Sequence, residues 1–335
     1  MKKSQYKVDR PLFYRQPIII VDGYPRSGKS MMGPIMAGFS GVELERCEVI
    51  LENISRLYYL KEINKDGAMY LLRLEPEMRL YESLLSRNIN FRIKDHSGVF
   101  KQINPMRYVK RLFAKEGDSV VKYIKKYEPI YQNHGHDVLR NVEIYFDAMG
   151  DNLRLIEMQR HPVDVVYSQY SRGYCTREGF DPRSWDITIT HKDNILPWYT
   201  YGWEEEYLQC ASPIDKIIKI HLHSVKLTNE SYNKLSSKQK KQIIFISFDS
   251  FVANPGPYIK KLESFIGRKT NKYIRKTLKQ QKCPRPIRSV LKQREKRLKE
   301  IKTVASPECY KILISLCKNF DNDVKTKQQA LGVIN

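Results

Sequence analysis

Apolar and polar positions along the chain fall into two periods. Ile18-Ile-Ile-Val21 is an unbroken apolar run, three isoleucines and a valine, and reads as a buried strand over 17–22. Asn90-Phe-Arg-Ile-Lys94-Asp95-His96 and Lys216-Ile-Ile-Lys-Ile-His-Leu-His223 alternate and read as strands. Leu153-Arg-Leu-Ile-Glu-Met-Gln159 and Gln242-Ile-Ile-Phe-Ile-Ser-Phe248 complete the strand set. Spacings of three and four predict helices over 28–40, 69–87, 105–115, 118–127, 136–149 and 162–171, with mixed helical character over 42–64. Further helices are predicted over 196–210, 256–266, 270–280, 290–302 and 306–319. Residues 172–195 have no period and many turn residues, long for a plain connection and therefore expected to be a functional lid or insertion. Strands at 17–22, 90–95, 153–159 and 242–247 separated by helices predict an α/β fold with a mainly parallel sheet and helices on both faces.

In such sheets ligands bind beyond the carboxyl ends of the strands. Two polar groups are predicted there, Asp95-His96 and the loop Gly23-Tyr-Pro25-Arg26-Ser27-Gly28-Lys29-Ser30. The loop is a G-x-x-x-x-G-K-S pattern between a strand and a helix, the context of a phosphate-binding P-loop. Its glycines let backbone N–H groups approach an anion, and the helix N-terminus points at it.

Composition narrows the setting. The 335 residues are 41% hydrophobic, enough for one large α/β domain with a helical C-terminal part. The longest apolar runs are too short for a membrane span. The basic start Met1-Lys-Lys-Ser lacks a following apolar segment, so no secretory signal is expected. Six scattered cysteines without a C-x-x-C pair fit reduced thiols and a cytoplasmic location. The net charge of +22 predicts attraction to polyanions, but no nucleic-acid recognition module is visible. His134-x-His136 and His221-x-His223 lack the further ligands of a closed zinc site, so no metal is expected and these histidines read as surface or strand residues.

Three motifs in order resemble those of the sulfotransferase family. Pro25-Arg26-Ser27-Gly28-Lys29-Ser30 is similar to its 5′-phosphosulfate loop. Lys94-Asp95-His96 is similar to its K-x-H segment. Arg160-His-Pro162-Val-Asp164, with Ser168 eight residues after the arginine, is similar to its 3′-phosphate motif. Phe245-Ile-Ser-Phe-Asp249 with Asn254-Pro255, and Phe265-Ile-Gly267, resemble later segments of the family. The resemblance runs from about 17 to 267. It implies 3′-phosphoadenosine 5′-phosphosulfate (PAPS) as donor and a small-molecule or glycan hydroxyl as acceptor. It implies that Pro25, Arg26, Ser27, Gly28, Lys29 and Ser30 cradle the 5′-phosphosulfate, and that Arg160 and Ser168 hold the 3′-phosphate. His96 would be the general base, with Lys94 and Arg26 stabilising the transferring group. The C-terminal R-K-G-x-x-G segment of cytosolic members is missing; Lys282-Cys-Pro-Arg285-Pro-Ile-Arg288 occupies a comparable place and could give Arg285 or Arg288 to the donor, Arg288 being the one assigned.

This divides the chain into an arm (1–16), a sulfotransferase-like P-loop domain (17–270) with an acceptor-side insertion (172–210), and a basic helical extension (271–335). Two other readings fit part of the pattern. Lys29, where the family has threonine, restores the ATP-type loop of a magnesium-dependent kinase or NTPase, although Asp249 is a poor second metal partner. A non-catalytic polyanion-binding protein would use the charge alone. Acceptor identity and oligomeric state are not encoded in any motif.

Overall fold

The computed structural model describes residues 7–95, 98–177, 181, 184 and 186–333. In chain order its strands are β1 (Ile18–Asp22), β2 (Tyr131–His134), β3 (Leu153–Gln159), β4 (Thr188–His191), β5 (Asn194–Pro197) and β6 (Ile243–Ser247). The first helices are α1 (Lys29–Met36), α2 (Val49–Tyr59), α3 (Lys65–Leu84), α4 (Pro105–Arg111), α5 (Asp118–Tyr127), α6 (Val142–Met149) and α7 (Pro162–Tyr170). Then follow α8 (Glu204–Leu208), α9 (Pro213–Lys234), α10 (Ser237–Lys240), α11 (Phe248–Ala253), α12 (Pro255–Ile266), α13 (Ile274–Gln280), α14 (Ile287–Val304) and α15 (Pro307–Leu331).

The main sheet has four parallel strands in the order β2-β1-β3-β6, with Ile18 beside Tyr131 on one side and Leu153 on the other. All five residues of β1 are buried, which is why that strand is an unbroken apolar run rather than an alternating one. Successive side chains point to opposite faces. Ile18, Ile20 and Leu155 pack with α2, α3, α5 and α6, whereas Ile19, Val21, Ile156 and Met158 pack with α1, α11 and α12. The expected parallel sheet with helices on both faces is therefore present.

Two predicted strands are not. Residues 90–95 form a turn: Asn90 Nδ2 donates to Asp95 Oδ2 at 3.1 Å, and the Arg92 backbone N–H donates to Asn90 Oδ1 at 3.0 Å. These short polar side chains capture the local backbone before a ladder can. Ile93 is 71% exposed as a result. The place next to β1 goes to β2, whose sequence Tyr-Gln-Asn-His hides its burial. Its polar side chains find partners inside: Gln132 Nε2 donates to the Glu43 carbonyl at 2.7 Å, and Asn133 Oδ1 accepts from the Glu48 N–H at 3.0 Å. The second misread segment, 216–223, lies within the 22-residue helix α9. Ser212 caps it by accepting from the Asp215 N–H, and Pro213 opens its first turn. Its isoleucines satisfy both periods, and the cap decides.

Between α7 and α9 the predicted helix 196–210 is reduced to a 3₁₀ turn at Trp198–Thr200 and the short α8, broken at Gly202 with φ 89°. The unperiodic stretch ahead of it ends in the antiparallel hairpin β4-β5.

Helices α14 and α15 pack against α7 and α9 through Val163, Val166, Ile217, Ile301 and Leu313. An ionic clamp fixes the same contact. Asp164, wholly buried in α7, accepts from Arg294 at 2.8 Å and Arg297 at 2.7 Å, both from α14. Arg294 also pairs with Asp249 of α11. No helix among the described residues is long and apolar enough to cross a membrane, and none of the six cysteines forms a disulfide among the described residues.

Burial alone would raise the Asp164 pKa, but Arg294 and Arg297 together hold it below the ordinary carboxylate value. Its contribution is therefore present above a pH of about 4 and is lost as pH falls through the lower native value. Asp164→Asn leaves two arginines without their carboxylate and is expected to destabilise the chain by about 3–5 kcal/mol in urea unfolding. The same substitution is expected to speed proteolytic release of α14. An unchanged urea midpoint would show that the clamp contributes nothing.

Candidate functional site

The loop after β1 is the tightest piece of backbone in the fold. Gly23 has φ 133°, and a Cβ there would sit 2.4 Å from the Met158 carbonyl of β3. Gly28 has φ 107°, and its Cβ would fall 2.3 Å from the Phe248 ring. Only glycine fits either position. Arg26 between them is held at φ 76°, left-handed geometry that costs a side-chain-bearing residue about 1–3 kcal/mol. Ser27 N–H closes a turn onto the Tyr24 carbonyl at 3.0 Å, while its buried hydroxyl has no partner.

The loop's two cations face opposite ways. Lys29 is only 2% exposed and turns inward, donating to the Gly23 carbonyl and, at 2.8 Å, to that of Tyr24. Burial lowers its pKa; Asp22, Glu52, Glu157 and Asp137 act in the opposite sense. Those carboxyls crowd one another. Glu157 lies well above the ordinary carboxylate value through burial and the charges of Asp22 and Asp137, and burial lifts Asp137 to about 6. Arg26 turns outward to the donor-side residues. Its Nε donates to Ser168 Oγ of α7 at 3.1 Å, and its carbonyl accepts from Arg160 Nη1 at 2.9 Å.

Arg160 and Ser168 thus meet at the loop, as their spacing predicts for a strand end and the helix after it. Arg160 stacks on Phe248 at 4.7 Å. It has no ion pair among the described residues, and its Nε is buried without a partner. Burial lowers its pKa, with Asp164 and Asp249 acting in the opposite sense. The nearby Asp164 is committed to α14. Pro25 offers its carbonyl to Gln169 Nε2 at 3.1 Å, and Ser30 is exposed at the start of α1. Arg288 is exposed on α14 and has no hydrogen bond or ion pair among the described residues. Arg285, the other arginine that segment offers, lies 5.7 Å from the Phe248 ring.

Lys94 is exposed on the 90–95 turn, and His96 lies outside the described residues. A histidine overlooked as a candidate does reach the site. His136 follows β2 two residues beyond its end, so it stands at the carboxyl edge of the sheet beside β1. Its Nδ1–H donates to Glu52 Oε1 at 2.9 Å, and Glu52 is held by Arg56 at 2.6 Å. Burial and the nearby Lys29 push the His136 pKa well below 6.5, so the ring is neutral at pH 7 with Nε2 unprotonated. The His134-x-His136 pair carried the signal, but only the placement of β2 gives it meaning.

Beside His136 opens a cavity of about 340 Å³ lined by Tyr24, Tyr174, Trp198, Tyr199 and His221. Trp198 is fixed between Arg56 and Arg140, whose guanidinium carbons lie 5.1 and 4.6 Å from its ring. Among the described residues no group of three or more His, Cys, Asp or Glu is arranged to hold a metal ion. Asp249, the sequence candidate for a metal partner, is bound to Arg294.

The site is thus a glycine loop with unneutralised arginines on one side and a neutral histidine facing an aromatic cavity on the other. A sulfotransferase domain from the Synechococcus PCC 7002 olefin synthase is 13% identical, with 95% of this chain and 98% of that one aligned and a TM-score of 0.48. The sulfotransferase domain from the curacin biosynthetic pathway is 11% identical over 78% of this chain and 77% of that one, TM-score 0.42. The sulfotransferase STF9 from Mycobacterium avium is 11% identical over 85% of this chain and 69% of that one, TM-score 0.38. No curated protein matches the sequence. The family described as "Sulfotransferase domain" matches residues 16–296, from the edge of β1 into α14, and the chain belongs to that family.

Proposed function

We propose that this sulfotransferase takes its sulfuryl group from PAPS and passes it to a hydroxyl of an acceptor bound in the aromatic cavity. The observation that carries the donor is Arg160: a half-buried guanidinium without a carboxylate, touching the glycine loop and one arginine away from Ser168. Arg160 and Ser168 bind the 3′-phosphate. Arg26 and the loop amides around Ser27 and Gly28 hold the 5′-phosphosulfate and neutralise the leaving phosphate. Lys29 and Asp249, the two residues that favour ATP and magnesium, are engaged by loop carbonyls and by Arg294, which weighs against that reading.

The base is His136. His96, expected from the K-x-H resemblance and a strand over 90–95, lies outside the described residues and that strand does not form, whereas His136 lies two residues beyond β2, the strand beside β1. Nε2 of His136 accepts the proton of the acceptor hydroxyl as its oxygen bonds to sulfur. The S–O bond to the 5′-phosphate breaks, and its electron pair leaves on the phosphate. Glu52 holds the tautomer and stabilises the imidazolium that forms.

Calorimetry is expected to show adenosine 3′,5′-bisphosphate binding without magnesium, and more tightly than ATP with or without it. Preference for magnesium-ATP would sink the donor assignment. Arg160→Ala is expected to weaken bisphosphate binding roughly 10- to 100-fold, the value of a charge-assisted hydrogen bond.

His136→Ala is expected to lower turnover by about 10²–10⁴-fold while bisphosphate affinity stays unchanged. His96→Ala is expected to leave turnover within a few-fold of the parent; the reverse pattern would return the base to His96. Because the native pKa of His136 lies below 6.5, the unprotonated base persists as pH falls through 6.5. The acid limb of kcat/KM is therefore expected at a lower pH than a free imidazole would give.

A further inference from the structure

Helix α9 carries a core-facing stripe that changes character midway. Ile214, Ile217 and Ile218 are buried at helical spacing, and the next positions on the same face are His221 and Ser224, 5% and 3% exposed. Both line the aromatic cavity. The stripe then ends at Thr228, whose hydroxyl lies 3.5 Å from Tyr24 OH and 3.4 Å from Asp137 Oδ1. A core helix normally continues such a face with apolar residues. Here the change falls where the helix comes to line the cavity.

His221 has no hydrogen bond or ion pair to any described residue; its one recorded partner is the Tyr24 ring, edge-on at 4.8 Å. Burial alone lowers its pKa to about 4, so at neutral pH it offers one N–H donor and one bare nitrogen acceptor. Buried polar groups are normally hydrogen-bonded. A paired donor and acceptor matches a hydroxyl or a carbonyl, not a charge. Most charged residues of the cavity are paired: Arg56 lies between Glu52 at 2.6 Å and Asp186 at 3.2 Å, Asp137 lies 4.0 Å from Arg140, and Arg177 lies 4.0 Å from Asp181. Arg172, which also lines the cavity, is exposed and has no ion pair among the described residues.

We propose that His221, with Ser224 one turn further, is the acceptor-recognition wall of this cavity, hydrogen-bonding a second, uncharged polar group on a small acceptor. The inference rests on the transferase reading above, in which the first hydroxyl of that acceptor faces His136. His221 is a positioning and specificity residue: it selects molecules whose second polar group reaches α9 while the ring fills the space beside Trp198 and Tyr199. An acceptor that lacks this group leaves the imidazole buried and unpaired, and so is disfavoured.

The test uses the full chain and four simple probes, phenol, catechol, resorcinol and hydroquinone, titrated by ligand-observed NMR with and without adenosine 3′,5′-bisphosphate. At least one of the three diols is expected to bind about tenfold or more tightly than phenol, since a site built to hydrogen-bond a group rejects the analogue without it. His221→Phe is expected to bring that diol to within about twofold of phenol, with phenol affinity kept. Its melting temperature is expected to equal or exceed that of the parent, because an unpaired buried imidazole has been removed. Ser224→Ala, the milder change, is expected to reduce the diol advantage in part, and carries the test if His221→Phe does not fold. Equal binding of phenol and all diols, no binding of any probe, or a diol advantage untouched by either substitution would overturn the proposal. Diol discrimination by a chain that does not bind the bisphosphate would uphold the wall and sink the donor assignment instead.

Discussion

An ammonium group in the interior governs this site. Removing Lys29 from water costs several kcal/mol, and the structure offsets this with the Gly23 and Tyr24 carbonyls and with carboxyls at the ends of three neighbouring strands. The dependence is mutual. Asp22 of β1, Asp137 beyond β2 and Glu157 of β3 would repel one another without a cation between them. The loop therefore cannot change shape without disturbing the charge balance of the sheet beneath it. The glycines tighten the same constraint from above, since Gly23 rests on β3 and Gly28 on Phe248 with no room for a side chain.

With Lys29 turned inward, the outer face of the loop belongs to arginines. Arg26, Arg160 and Arg285 gather around Phe248 and Ser168. A guanidinium stacks on an aromatic face and keeps its edge donors for an oxyanion, which an ammonium does less well. The carboxylates that could have neutralised them are occupied elsewhere. Asp164, four residues after Arg160, is drawn to α14, and Asp249 follows it. The C-terminal helices thus do more than cover α7. By taking its carboxylate they leave Arg160 available, and by packing on α7 they fix where Ser168 stands.

Across the loop the chemistry is neutral. His136 and His221 are both kept uncharged by burial, and the cavity between them is walled largely by aromatic rings and by charges paired to one another. The arginine side of the loop and the histidine side of the cavity are separated by the loop, with Lys29 and its carboxyls between them.

Much of this was legible in order along the chain. The run Ile18–Val21, the glycine loop, Leu153–Gln159 with Arg160 and Ser168, and 243–247 declare themselves because each is a local pattern whose meaning does not depend on a partner. The ordered motifs also pointed to the family. What could not be read was which segment lies beside β1. Residues 90–95 alternate correctly but are captured by their own Asn and Asp side chains, while Tyr131–His134 lacks apolar alternation yet is buried, because Gln132 and Asn133 find backbone partners in distant segments. That exchange put the residues after Tyr131–His134, His136 among them, at the carboxyl edge of the sheet and could be decided only by long-range hydrogen bonds. The stretch 216–223 fits two periods, and a serine cap four residues earlier settled it as a helix, which turned His221 from a strand histidine into a cavity wall. The sequence by itself determined the loop, its neighbouring arginine and the parallel α/β order, since these follow from local sterics and apolar period. Tertiary structure decided which polar side chains are buried and unpaired, because that depends on what every other segment leaves unsatisfied.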